Sequence, residues 1–109
     1  MTSEPVMDRL ERWYARQCNG DWEHTYGIEI GNSDNPGWLI KIDLEDTDLE
    51  QTSFQTRSEP ARGGGAYLFC ERSTDERGNT VFRAACSAGR LQEVLTIFLD
   101  WAEANARPA

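Results

Sequence analysis

The sequence predicts an α+β domain in which two helices pack on one face of an antiparallel sheet of four or five strands. Two observations lead to this prediction. Hydrophobic residues recur at helical spacing near both ends of the chain, and they alternate with polar residues in the part between. Placing both helices on one sheet face buries both apolar stripes. The 109 residues suit one domain, which we place at 1–109.

The first helix is predicted over residues 4–18. Ser3 is a suitable N-cap residue, and Pro5 falls in the first turn, where proline is tolerated. The apolar positions that follow share one helix face: Val6, Leu10, Trp13 and Tyr14. Asn19-Gly20 then supplies the left-handed residue at which helices commonly end.

A first β-hairpin is predicted after this helix. From Glu23 the hydrophobic period changes to two, and the turn-forming segment 32–37 divides the alternating residues into two strands. The residues that share a face are His24, Tyr26, Ile28 and Ile30 on the first strand and Trp38, Ile40, Ile42 and Leu44 on the second. The two strands are therefore expected to pair antiparallel.

A second hairpin is predicted from segments 67–72 and 80–86, which flank a turn that contains glycine. The stretch before it is less regular. Phe54 and Thr56 fit a short edge strand, which would be the fifth strand of the sheet, and 61–65 fits a flexible loop.

The chain is predicted to end in a second amphipathic helix over about 90–105. Its apolar stripe is too broad to be left in water and consists of Leu91, Val94, Leu95, Phe98, Leu99 and Ala102. The predicted order is therefore helix, two hairpins, helix.

The formal net charge of −8 is concentrated in one part of the sequence. Segment 19–50 holds nine acids and one base, Lys41, whereas the acids and arginines of the remainder cancel. Such a balance argues against nucleic acid or an anionic membrane as the main partner, because either would repel the protein. Two interpretations of the acidic segment stay open: a solvated loop that aids solubility, and a docking surface for a basic partner.

The cysteines and the N-terminus indicate a cytoplasmic protein. The three cysteines, Cys18, Cys70 and Cys86, form no CxxC pair, which favours reduced thiols. The first residues contain acids and lack the apolar core of a signal peptide. No stretch approaches the roughly 18 apolar residues that a membrane span needs.

Residue types that carry chemistry do not assemble into a recognisable catalytic or metal site. His24 and Cys18 lack further donors at zinc spacing, so no metal is predicted. The glycines at 63–65 precede a strand rather than a helix, unlike a phosphate loop, so no cofactor is predicted. Cys86, between a strand and a helix, is the one candidate nucleophile, and the alternative is a small residue that closes the strand. We expect no catalytic residues.

Aromatic residues are interleaved with acids at two places in segment 19–50. Trp22 lies between Asp21 and Glu23, and Trp38 follows Asp34 by four positions. An aromatic residue ringed by polar groups is typical of a protein interface. Both tryptophans could instead belong to the core, an interpretation that the register with Ile40 favours for Trp38.

These motifs also carry a family resemblance. They are Trp13-Tyr14, Cys18-Asn19-Gly20-Asp21-Trp22-Glu23-His24, Tyr26-Gly27-Ile28, Asp34-Asn35-Pro36-Gly37-Trp38 and Ile42-Asp43-Leu44. With them the sequence resembles the immunity protein 53 family of bacterial polymorphic-toxin systems over nearly its whole length. The resemblance implies a small cytoplasmic protein that binds and neutralises a cognate toxin.

We therefore expect stoichiometric occlusion of a toxin with a basic face, such as a nuclease. The predicted partner-binding residues are the acids of the charged segment, with Trp22 as an apolar anchor: Asp21, Trp22, Glu23, Asp34, Asp43, Glu45, Asp46, Asp48 and Glu50. Two alternatives remain: a small thiol-dependent enzyme of sulfurtransferase-like type that uses Cys86, and a protein-binding adaptor without a toxin. The sequence indicates no particular oligomeric state.

Overall fold

A computed structural model describes residues 4–34, 36–59 and 66–106. The elements in chain order are α1 (Val6–Gln17), α2 (Trp22–Thr25), β1 (Ile28–Ser33), β2 (Gly37–Asp43), β3 (Arg57–Glu59), β4 (Leu68–Thr74), β5 (Thr80–Ser87) and α3 (Leu91–Ala104). The long helices stand at the two ends and the strands lie between them, so the predicted α+β class is confirmed. Among the described residues no helix is both long and apolar enough to cross a membrane.

The five strands form one open antiparallel sheet in the order β1-β2-β5-β4-β3. Both predicted hairpins are present, as β1–β2 and β4–β5, and they join where β2 pairs with β5. The register sets Ile40 opposite Ala84 and Ile42 opposite Phe82. These four side chains therefore share one sheet face, and all four are buried.

The core lies between this sheet face and the helices. Phe98 of α3 packs against Phe82 of the sheet and against Trp13 of α1, with ring centroids 5.0 Å apart in both pairs. The apolar stripe predicted for the last helix is buried at Val94, Leu95, Phe98, Leu99 and Ala102. Because α1 and α3 also contact each other, one aromatic cluster joins both helices to the sheet.

The ends of the elements differ from the predictions in detail. Helix α1 begins at Val6 with Pro5 as its N-cap, and the predicted cap Ser3 lies outside the described residues. Gly20 has the positive φ, +98°, that the Asn19-Gly20 pair predicts. Segment 61–65, predicted as a loop, also lies outside the described residues.

Two predicted strand positions are wrong. Residues Trp22–Thr25 form the short helix α2, so β1 begins at Ile28 rather than at Glu23. The edge strand is β3, whereas Phe54 belongs to the preceding loop and packs its ring on Phe82 and Trp101, 5.4 Å and 5.0 Å between centroids. In both cases apolar residues serve core packing from segments that are not strands.

A buried arginine ties the two long helices together. Arg9 of α1 is only 8% exposed. It donates hydrogen bonds to Glu103 at 2.9 Å and to Asp100 at 2.8 Å, both on α3. Its three charge-assisted hydrogen bonds bridge residues more than ninety positions apart in the sequence.

Arg9→Met should lower the free energy of unfolding by about 1.5–3 kcal/mol, because it removes hydrogen bonds to charged groups at the helix interface. Arg12→Met is the matched control, since Arg12 makes an exposed ion pair with Glu4 and its loss should cost less than about 1 kcal/mol. Urea unfolding of both variants measures the difference. Equal losses would contradict the assignment of Arg9 as the link between the helices.

Candidate protein-binding surface

The chain after β2 forms a compact loop at residues 44–52, which holds four of the acids of segment 19–50 and which we call the acidic loop. Leu44 and Leu49 are 0% and 1% exposed and anchor it in the core. Successive backbone hydrogen bonds close its turns, from Thr47 to Leu44 and from Thr52 to Leu49. With the two leucines turned inward, the acids between them are left at the surface.

Helix α2 lies against this loop through Trp22. The indole N–H of Trp22 donates to the backbone carbonyl of Glu45 at 2.9 Å. The ring is 3% exposed and makes an edge contact with Trp13, 6.1 Å between centroids. The expectation that Trp22 presents its ring to a partner is therefore wrong for this structure: the residue belongs to the core and holds the acidic loop.

Within residues 43–50, three acids each have a side-chain oxygen that accepts a hydrogen bond from a backbone amide. Asp43 accepts from the N–H of Gly27 at 2.9 Å, Glu45 from Thr80 at 2.7 Å, and Glu50 from Asp46 at 2.7 Å. These bonds attach the loop to β1 and β5 and fix its own turn. The carboxylates are thus positioned by the fold rather than free to rotate in solvent.

The negative charges of four nearby carboxylates act on the partly buried Tyr26. Partial burial raises the pKa of Tyr26, and the next causes in order are the charges of Asp46, Glu45, Asp43 and Glu50. We call these four acids the acidic cluster. The sequence interpretation singled out the acids but not Tyr26, although Tyr26 lies in the same aromatic and acidic stretch.

The other predicted partner residues are placed around the cluster or away from it. Asp48 lies 3.9 Å from Arg16 of α1, and Asp21 is exposed immediately before α2. Asp34 is exposed in the β1–β2 turn, at the far end of β2 from Asp43, a separation of about 20 Å for a seven-residue strand. The structure therefore does not bring Asp34 to the cluster.

Glu23 has a local structural role. Its carboxylate accepts the N–H groups of Asn19 and Gly20 at 2.9 Å and 2.8 Å, while the Asn19 side chain accepts from the N–H of Asp21 and Trp22. This reciprocal arrangement resembles a capping box and explains why a four-residue helix forms here. Hydrogen bonds from backbone amides, first its own and then those of Asn19 and Gly20, lower the pKa of Glu23.

The cysteines do not form a reactive site. Cys86 and Cys70 are both 0% exposed on the core face of the sheet. Burial raises the pKa of Cys86, and it raises the pKa of Cys70 to about 11. A thiol nucleophile needs access and a lowered pKa, so the structure does not favour the thiol-enzyme alternative. Among the described residues no group of histidines, cysteines and acids could hold a metal ion.

The acidic cluster gives this small α+β domain a negatively charged surface, in which backbone amides hold three of the four carboxylates. The family comparison places the chain more narrowly. The model of the family described as immunity protein 53 matches residues 7–103, and the chain belongs to that family. Neither the curated proteins nor the solved structures include a match.

Trp22→Phe should lower the free energy of unfolding by about 1–3 kcal/mol, because the carbonyl of Glu45 loses its buried donor. Toxin binding by the folded variant should weaken only modestly, because the lost hydrogen bond loosens the acidic loop but the buried ring does not face the partner. Urea unfolding and a titration in native buffer measure the two effects. Full stability with lost binding would show instead that the indole touches the partner.

Glu23→Gln should lower the urea midpoint at neutral pH. A carboxyl whose pKa is lowered by folding stabilises the protein fully above its unfolded pKa, and this contribution is lost as the pH falls through the folded pKa. The difference between wild type and variant should therefore shrink on acidification below about pH 4. Glu76→Gln, at an exposed position of the β4–β5 turn, is the control. A difference that stays constant with pH would contradict the prediction.

Proposed function

We propose that the protein neutralises a cognate toxin in the cytoplasm by stoichiometric occlusion, and that the acidic cluster contacts a basic face of that toxin. The observation that carries the proposal is that backbone amides hold the carboxylates of Asp43, Glu45 and Glu50 beside the exposed Asp46. Membership of an immunity-protein family supports a toxin as the partner. The negative charge of the acidic cluster supports a positive charge on the toxin surface that it contacts.

A nuclease is the class of toxin that this surface suits best. Enzymes that bind nucleic acid carry basic grooves, because lysines and arginines neutralise the phosphates of the substrate. Carboxylates placed over such a groove occupy the same positions as phosphates and block the substrate. The field of a −8 protein would also accelerate the encounter with a basic partner.

The fold lowers the conformational entropy that is lost when a partner binds this surface. Asp43, Glu45 and Glu50 are already held by backbone amides, so complex formation orders few side chains. Asp46 is exposed at the tip of the acidic loop with a positive φ of 62°. Tyr26 supplies an aromatic surface of the type found at interface centres.

The remaining predicted residues take different parts in the proposal. Asp21 and Asp48 add negative charge at the surface, Trp22 holds the acidic loop through the carbonyl of Glu45, and Glu23 fixes the turn that precedes α2. Asp34 lies about 20 Å from the cluster, beyond the roughly 10 Å over which a charge acts at moderate ionic strength, so it contributes only to the net charge.

The test is a quadruple isosteric variant of the acidic cluster: Asp43→Asn, Glu45→Gln, Asp46→Asn and Glu50→Gln. Each new amide keeps an oxygen that can accept the existing backbone hydrogen bond, and asparagine tolerates the left-handed backbone at position 46. Affinity for the cognate toxin domain should fall about tenfold or more, and the dependence of that affinity on salt should weaken. Calorimetric titration at several salt concentrations measures both.

The matched control removes the same number of charges elsewhere: Asp8→Asn, Glu11→Gln, Glu71→Gln and Glu76→Gln. These acids lie outside the acidic loop, so binding should change little beyond the effect of net charge. Unchanged affinity and salt dependence in the cluster variant would overturn the proposal. Equal losses of affinity in both variants would show that the acids act only through non-specific attraction by the net charge.

A further inference from the structure

The two edges of the sheet are unequal. At one edge, β3 has three residues, and its Glu59 is held by Arg57 at 3.1 Å and by Arg90 at 2.7 Å. Short strands and charged side chains are how proteins protect an edge from pairing with another chain. At the other edge, β1 has six residues with neither lysine nor proline. By these criteria, only the β1 edge of the described sheet is open to another strand.

The backbone of β1 has groups directed away from the sheet. The N–H of Asp43 donates to the carbonyl of Gly27, which identifies odd-numbered residues of β1 as those that bond to β2. Antiparallel pairing alternates, so Ile28, Ile30 and Asn32 point their N–H and C=O groups outward. These three residues form a regular template for a further antiparallel strand.

Exposed apolar side chains are concentrated near the same edge. Among the described residues the large hydrophobic side chains that remain exposed are Met7, Tyr14, Ile30 and Leu39. Ile30 and Leu39 belong to the β1–β2 hairpin, and Tyr14 lines a cavity of about 370 Å³ with Ile28 and Gly27. Met7 lines a second cavity with Trp38 of β2. A solvent-exposed edge with this composition is typical of an interaction surface.

We infer that the partner of this edge is a second copy of the same chain, and that the two β1 strands pair antiparallel around Ile30. This register sets Ile30 opposite Ile30 and Ile28 opposite Asn32. All three outward-pointing residues of each copy then meet outward-pointing residues of the other, as an antiparallel ladder requires. The two five-stranded sheets become one continuous sheet of ten strands.

Within β1 itself the charges are compatible with this register, whereas Asp34, which follows the strand, falls opposite Tyr26 of the second copy and repels its acidic cluster. The one charged residue of the strand, Glu29, falls opposite Gly31 of the second copy rather than opposite another carboxylate. Space beside Gly31 is open, because a Cβ placed there would meet no atom within 4 Å. The like charges are therefore offset along the strands instead of directly opposed.

Contact area between the two copies comes from the paired β1 strands and from side chains of α1. Strand pairing alone is small against the roughly 1,200 Å² that stable interfaces bury. A twofold axis perpendicular to the sheet keeps the helices of both copies on the same side. The exposed Met7 and Tyr14 of α1, next to the β1–β2 hairpin, then add apolar surface to the contact.

Sedimentation velocity of the full chain over a concentration series tests the pair. The wild type should form a dimer, and Ile30→Lys should weaken it ~tenfold or more, because two lysines then face each other across the axis. Ser58→Lys is the matched control, since it adds the same charge to β3 at the opposite edge. Added salt should strengthen the wild-type dimer by screening repulsion between two acidic chains.

A cysteine scan tests the register. In a Cys18→Ser background, Ile30→Cys should form an intermolecular disulfide with oxidised glutathione, since hydrogen-bonded antiparallel pairs have Cα atoms about 5.5 Å apart. Asn32→Cys is the control, because two copies of position 32 lie about 14 Å apart in this register. The native Cys70 and Cys86 are buried and do not compete.

A wild-type protein that stays monomeric at every concentration would overturn the inference. So would a dimer that Ile30→Lys leaves intact, or one in which both cysteine variants cross-link equally. A monomer whose Ile30→Lys variant loses affinity for the toxin domain would assign this edge to the toxin instead.

Discussion

The burial of Trp22 is the constraint on which the acidic surface depends. Its indole packs on Trp13 of α1, and its N–H bonds to the carbonyl of Glu45, so one side chain joins a helix to the acidic loop. Leu44 and Leu49 anchor that loop in the core on either side. A loop held at three buried points presents its acids in one arrangement, and binding then orders little of it.

The same carboxylates that supply the charge also stabilise the loop. Placing Asp43, Glu45, Asp46 and Glu50 within eight residues of the chain is unfavourable because like charges repel. Hydrogen bonds from the amides of Gly27, Thr80 and Asp46 offset this repulsion, since an amide dipole stabilises an ionised oxygen. The oxygens of Asp43, Glu45 and Glu50 therefore serve the loop as hydrogen-bond acceptors in addition to supplying its charge.

Periodicity predicted the elements that bury broad apolar faces. Each of these patterns extends over many residues, both in the apolar stripes of α1 and α3 and in the alternation of the two hairpins. The class and the order of the elements were therefore predictable. Helix α2 was not, because four residues are too few for a period and their state is decided by the side chains of Asn19 and Glu23. Likewise β3 depends on pairing with β4, a non-local contact that its own residues do not reveal.

The candidate surface was predictable only where sequence neighbours stay neighbours. The acids of residues 43–50 are adjacent in the chain and remain together in the fold. In the sequence, Asp34 and Trp22 were as plausible as contact residues as these acids. The length of β2 places Asp34 away from the cluster, and Trp22 is buried in the core. Exposure of a tryptophan depends on which helix lies over it, and that information is tertiary.

The acidic loop and the β1 edge meet at Gly27. Its N–H and C=O both bond to Asp43, so the residue that opens β1 is attached to the first acid of the cluster. Antiparallel pairing around Ile30 would place the Gly27 ends of two copies at opposite ends of the paired strands, about 20 Å apart along the strand direction. Two acidic surfaces at that separation are largely screened from each other at physiological ionic strength. The closer like charge is Asp34, which this register places opposite Tyr26 of the other copy, so repulsion between the two chains should weaken as salt is added.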